Sequence, residues 1–129
     1  MGAGSPFSYA VYRLVPRVER GEQMNVGVVV FSRPLRYLAA RTALDELRLT
    51  ALWPDLDADS VRPHLAAIER VASGDPTAGP IAKLDPGERF YSLSSPSSTM
   101  IQPSAVHTGI SADPAAELEK LFRALVLMP

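Results

Sequence analysis

The densest run of β-branched and aromatic residues in the chain lies at residues 22–31, with the sequence EQMNVGVVVF. Its apolar positions fall on both alternating faces, with Met24, Val26, Val28 and Val30 on one face and Gly27, Val29 and Phe31 on the other. A strand with two apolar faces is normally covered on both sides, so this run predicts the central strand of a sheet. The glycine within it predicts a bulge or a close approach by another backbone.

The segment before this run predicts a first strand at residues 7–15, where tyrosines and β-branched residues recur. Pro16 ends the pairing of that strand because it has no N–H, and Gly21 supplies a turn position with positive φ. These two strands therefore predict an antiparallel hairpin. A weaker third strand is predicted at residues 36–42.

Three helices are predicted by apolar stripes with the period of an α-helix. The stripes are Leu44, Leu47, Ala51 and Leu52 in the first helix, Val61, Leu65, Ile68 and Ala72 in the second, and Leu118, Leu121, Phe122 and Leu125 in the last. Gly74 is placed to end the second helix, and Asp113 followed by Pro114 to begin the last. The weak alternation at residues 89–93 predicts one more strand.

This order of elements predicts an α+β fold. We expect a mainly antiparallel sheet with an N-terminal hairpin, packed by about three helices, in a single domain of residues 1–129. The chain has 129 residues, of which 47% are hydrophobic and 21% charged, as is usual for one globular domain.

Composition removes several classes of function. No run approaches the roughly 20 apolar residues that span a bilayer, and the first residues do not resemble a signal peptide, so the cytoplasm is the expected compartment. The absence of cysteine excludes disulfides and thiol catalysis. The two histidines, His64 and His107, have no metal-binding spacing, so no metal site and no cofactor are expected. Walker, Rossmann and G-x-S-x-G patterns are absent.

Charge is unevenly distributed although the net charge is only −1. Residues 9–41 hold six arginines against two glutamates, whereas residues 42–88 hold four basic and nine acidic residues. We expect the basic part to face the acidic part of the same chain; the alternative is contact with a phosphate or an acidic partner. The overall acidity argues against binding to nucleic acid.

The least ordinary stretch is residues 92–109, which contains six serines and two threonines. Its hydroxyl groups are suited to holding a phosphate, and His107 is of the residue type that serves most often as a general acid or base. Such a histidine needs an orienting partner, which only the fold could bring from Glu22, Asn25 or Arg89. The alternative is a hydrogen-bonded structural histidine in a turn.

These considerations give two sets of candidate site residues. The candidate catalytic residues are His107 and Glu22, and the candidate ligand-binding residues are Asn25, Arg89, Ser98 and Thr99. If residues 100–101 form a strand that pairs with the hairpin, the polar ends of the two segments meet. His107 is then expected close to Glu22, in a polar network whose role we take to be structural.

Two stretches, YAVYRLVPRVERGEQMNVGVVVF and RFYSLSSPSSTMIQPSAVHTGISADP, resemble the bacterial "domain of unknown function 3037" family. The positions that carry the resemblance are Tyr9, Arg13 and Pro16, then Glu22, Asn25, Gly27 and Val28, and finally Ser98, Thr99, Gln102, Ser104, Val106, His107, Thr108 and Gly109. Relatives often have an arginine where this chain has Ser97. If that arginine binds an anion in relatives, this chain lacks it, which counts against the phosphate hypothesis.

The resemblance implies a small cytoplasmic bacterial protein without an assigned activity. Family members are often encoded near HipA-like kinase-fold proteins, which makes such a protein the expected partner. The leading hypothesis is therefore a non-catalytic accessory or interaction protein. The alternative hypothesis is a small enzyme or phosphate-ligand-binding protein with a site around Glu22, Asn25, Arg89 and His107.

Overall fold

The structure is a computed structural model that describes residues 4–96 and 99–127. Its strands are β1 (Ser5–Leu14), β2 (Met24–Ser32), β3 (Tyr37–Thr42), β4 (Ile101–Pro103) and β5 (His107–Ser111). Its α-helices are α1 (Glu46–Leu52), α2 (Ala58–Ser73), α3 (Pro86–Ser94) and α4 (Pro114–Leu125), with a short 3₁₀ turn at Ile81–Lys83. The predicted α+β fold is confirmed.

The five strands form one antiparallel sheet in which β1 and β2 are the inner strands. β3 pairs with β2 on one side, and the opposite edge of β1 pairs with both β4 and β5. The first two strands make the predicted hairpin. β4 and β5 lie one after the other along the same side of β1, so together they form one interrupted edge strand.

A β-bulge in the hairpin changes which side chains share a face. Tyr12 lies opposite Gly27 and Arg13 lies opposite Asn25, so Val26 is an extra residue in β2. Met24 and Val26 consequently pack with Val29 and Phe31, and not with Val28 and Val30 as strict alternation predicted. A Cβ on Gly27 would lie 2.9 Å from Thr42 Cγ2 and 3.1 Å from the Arg41 carbonyl oxygen, so both the predicted bulge and the predicted close approach are present.

Helices cover both faces of the sheet, which gives two hydrophobic cores. Helices α1, α2 and α3 pack on the face that carries Tyr12, Leu14 and Val29, and α4 packs on the face that carries Val28 and Val30. All four valines of β2 are inaccessible to solvent. The prediction of a central strand that is covered on both faces is confirmed.

Two local predictions were wrong. Residues 89–93 belong to helix α3 and not to a strand, because Asp85 accepts a hydrogen bond from the Glu88 N–H at 2.9 Å and caps a helix that has Pro86 at its first position. In α1, which Asp45 caps, the buried residue is Leu49, whereas Leu47 is 85% exposed. The predicted second and last helices are confirmed.

Truncation of a central valine tests this arrangement. Val28→Ala should lower the free energy of unfolding by about 1–3 kcal/mol, because it leaves a cavity between the sheet and α4. The matched control is Val18→Ala, at a loop position that is 61% exposed, where little change is expected. Denaturant unfolding measures both, and equal stabilities for the two variants would contradict the assigned core.

Candidate functional site

A single serine joins the two halves of the interrupted edge. β5 pairs with Ser5–Tyr9 of β1, and β4 pairs with Tyr12–Leu14. Between these ladders, the Ser104 N–H donates to the Val11 carbonyl at 2.8 Å, and Ser104 Oγ accepts from the Val11 N–H at 2.9 Å. The buried hydroxyl thus takes the place of a backbone carbonyl, and the predicted pairing of residues near 101 with the hairpin is confirmed.

His107 begins β5 opposite Tyr9, and the two rings stack with their centroids 5.1 Å apart. Two residues later, Gly109 lies under the ring of Phe7, where a Cβ would come within 2.7 Å of Phe7 Cε1. His107 is exposed, and its ring makes no hydrogen bond to another residue of the described chain. Aromatic packing, and not a hydrogen bond to an acid, therefore orients the imidazole.

Five polar or aromatic side chains share the face of the sheet on which α4 lies. We call this group the open face: Tyr9, Arg13, Asn25, Gln102 and His107. Alternation along β1 places the first two together, and the strand register adds their cross-strand neighbours. Because α4 packs over β2 and β3, it leaves the β1 side of this face accessible. All five belong to the positions that carry the family resemblance.

The side-chain amides of the open face are held by backbone carbonyls. Asn25 Nδ2 donates to the Leu125 carbonyl oxygen at the end of α4, at 2.9 Å. Gln102 Nε2 donates to the Thr99 carbonyl oxygen at 3.1 Å. These amides are the cross-strand neighbours of Arg13, one from β2 and one from β4. Two neutral dipoles therefore flank the guanidinium group.

Glu22 lies in the loop between β1 and β2, where Arg20 binds its carboxylate at 2.9 Å. This hydrogen bond is the largest of the effects that lower the pKa of the Glu22 carboxyl. The strand that follows starts opposite Leu14, whereas His107 lies opposite Tyr9. Tyr9 and Leu14 are five positions apart on β1, which corresponds to about 16 Å, so the register keeps Glu22 and His107 apart.

The remaining candidates make local bonds. Arg89 Nη1 donates to the carbonyl oxygens of Ala72 at 2.8 Å and Val71 at 3.2 Å, so Arg89 caps the C-terminal end of α2. Thr99 Oγ1 donates to the Ile101 carbonyl oxygen at 2.9 Å. Ser98 lies outside the described residues. The ligand-binding roles of these three residues, like the catalytic roles of Glu22 and His107, stay predictions.

The outer side of β5 is an open strand edge, because β5 pairs with β1 alone among the described strands. Beside this edge, on the face opposite α4, a groove of about 560 Å³ runs between α3 and the sheet. Its walls include Pro6, Phe31, Phe90, Tyr91 and Val106. Tyr91 is 77% exposed, and Ile110 at the edge is 67% exposed. The edge and the groove therefore place exposed apolar side chains next to unpaired backbone groups.

Across residues 4–96 and 99–127, no three side chains of the metal-binding types come close enough together to hold an ion. No helix in the described part of the chain has the length and apolarity to cross a membrane.

The fold and the site define an α+β protein with a five-stranded antiparallel sheet and helices on both faces. The sequence profile of the family "Protein of unknown function (DUF3037)" matches residues 9–126. The chain therefore belongs to this family. No curated protein and no solved structure matches the chain.

Sequence reasoning did not select Arg13, Tyr9 or Gln102 as site residues, and it did not identify β5 as an edge. A signal for the first two is present, because residues four apart on a strand point to the same face. The position of Gln102 depends on the register with β1, which the serine junction sets. That junction involves contacts between residues 93 positions apart.

Loss of the Ser104 hydroxyl should weaken the junction. Ser104→Ala removes the acceptor of the buried Val11 N–H, so we expect the free energy of unfolding to fall by about 1–3 kcal/mol. Thr108→Ala, at an exposed position of the same segment, should change it by less than about 0.5 kcal/mol. Urea unfolding of both variants provides the measurement, and a neutral Ser104→Ala would show that this hydrogen bond does not stabilise the sheet.

Proposed function

We propose that the protein is a non-catalytic accessory or interaction protein of the bacterial cytoplasm, and that its partner adds a strand to the open edge of β5. The observation that carries this proposal is the unprotected state of that edge. A strand edge presents unpaired N–H and C=O groups that another chain can pair with, and many recognition domains bind peptides in this way.

The other edges of the sheet contrast with β5. At β3, Glu69 Oε2 accepts hydrogen bonds from the Thr42 N–H at 2.8 Å and from its hydroxyl at 2.6 Å, and α2 packs alongside. β4 carries Pro103, which has no N–H to offer. β5 has the sequence HTGIS, without lysine, proline or acid. Natural proteins protect exposed edge strands by several features, and of these β5 has only its short length.

The groove next to the edge supports the same proposal. An added strand would direct alternate side chains toward the face that carries the groove. There they would meet the exposed apolar side chains of Tyr91, Val106 and Ile110. Arg33 also lines the groove, with its guanidinium carbon 5.4 Å from the centroid of the Phe31 ring. Backbone pairing would supply affinity, and these side chains would supply selectivity.

The first partner to test is a HipA-like kinase-fold protein from the same genome, since the family resemblance implies it. The alternative function, a small enzyme or phosphate-ligand-binding protein around Glu22, Asn25, Arg89 and His107, has less support. Arg20 binds Glu22, α4 binds Asn25 and the end of α2 binds Arg89, so each is engaged in a different part of the fold.

Substitution at the edge tests the proposal. Ile110→Lys introduces the charge that natural proteins use to block an edge, so it should weaken binding to the kinase-fold partner by more than about tenfold. The matched control is Leu47→Lys, at an exposed position of α1, which should bind as the unmodified protein does. Isothermal titration calorimetry with purified proteins measures all three affinities.

Three results would count against the proposal. Absence of a complex at micromolar concentration would exclude the kinase-fold partner. A complex that Ile110→Lys leaves intact would exclude β5 as the contact. Turnover by the purified protein alone, lost in His107→Ala, would replace the non-catalytic role with the enzymatic one.

A further inference from the structure

Arg13 lies on an inner strand, and no carboxylate of residues 4–96 and 99–127 forms an ion pair with it. Its neighbours along β1, Tyr12 and Leu14, are buried on the opposite face. The Arg13 side chain is half-buried, and its Nε is shielded from solvent without a hydrogen-bond partner. Its two terminal nitrogens are not shielded, and they make no bond to another described residue. A cation held in this way normally has an anion beside it.

Five other arginines of the chain have the carboxylate partner that Arg13 lacks. Carboxylates bind the guanidinium groups of Arg20, Arg41, Arg62, Arg70 and Arg123. Arg13 instead has amides on both sides, since Asn25 and Gln102 are its cross-strand neighbours. The nearby end of α4 offers only the partial negative charge of helix carbonyls. Among the described residues, the open face therefore has no full negative charge to balance the guanidinium group of Arg13.

We infer that Arg13, Asn25 and Gln102 form a binding site for a carboxylate. The terminal nitrogens of a guanidinium group match the two oxygens of a carboxylate in a bidentate pair. A phosphate ester carries nearly two charges at neutral pH, and this site has one cation to balance them. The fixed amides on either side limit the approach to a planar group of small size. This site is separate from the β5 edge, so its test is independent of the proposed partner.

The ¹⁵N-labelled protein can be titrated with sodium acetate, and with sodium chloride at the same ionic strength as the reference. The Nε–H resonance of Arg13 should shift with acetate in a saturable way and should not respond to chloride. In Arg13→Gln, the affinity for acetate, read from the side-chain amide resonances of Asn25 and Gln102, should fall by at least about tenfold, because the charge-assisted bidentate pair is lost. Arg48→Gln, a half-buried arginine on α1, is the matched control and should leave the response unchanged.

Several other results would decide whether the site binds a carboxylate. Equal responses to acetate and chloride, an unchanged response in a folded Arg13→Gln, or tighter binding of inorganic phosphate than of acetate would overturn the assignment. Arg13→Lys keeps the positive charge but lacks the paired N–H donors of a guanidinium group, so this variant should also bind acetate more weakly. The blocked peptide acetyl-Ala-Glu-Ala-amide distinguishes the source. If the peptide saturates the site at a lower concentration than acetate does, the ligand is a protein side chain. If it needs the same or a higher concentration, the ligand is a free small acid.

Discussion

Backbone pairing along both edges of β1 is the constraint on which the rest of the structure depends. An inner strand has to satisfy its N–H and C=O groups on both sides, because water does not reach them. β2 satisfies one side, and the segment that contains β4 and β5 has to return from the far end of the chain to satisfy the other. Ser104 closes the gap between these two short strands with its own hydroxyl. The position of every open-face residue follows from this arrangement.

The fold was largely predictable because its strongest signals are local. Apolar residues on both faces of β2, a glycine with no room for a Cβ, and the capped stripes of α2 and α4 each depend on neighbouring residues alone. Helix α3 was missed because four or five alternating residues fit a strand and a short helix equally well. The signal that identifies it as a helix is its Asp-Pro start, the same pair that begins α4.

The candidate site was less predictable because it depends on register. The sequence indicates His107 as a histidine in the serine-rich stretch and Asn25 as a polar residue near the start of the central strand. Which residues lie opposite them is decided by the bulge at Val26 and the junction at Ser104. Arg13 carries the family resemblance but was not predicted as a site residue, because the sequence alone does not show which side chains lie beside it. Its significance comes from the absence of an acid on either neighbouring strand, which only the pairing reveals.

The central functional claim concerns the outer edge of β5, and amide hydrogen exchange in the isolated protein tests it most directly. In a five-residue edge strand, the amides that bond to β1 exchange slowly, and the alternate amides, which point outward, exchange fast. We expect this alternation over residues 107–111, with protection of the outward amides only when the partner is added. Slow exchange of all five amides in the isolated monomer would contradict it, because the edge would already be covered.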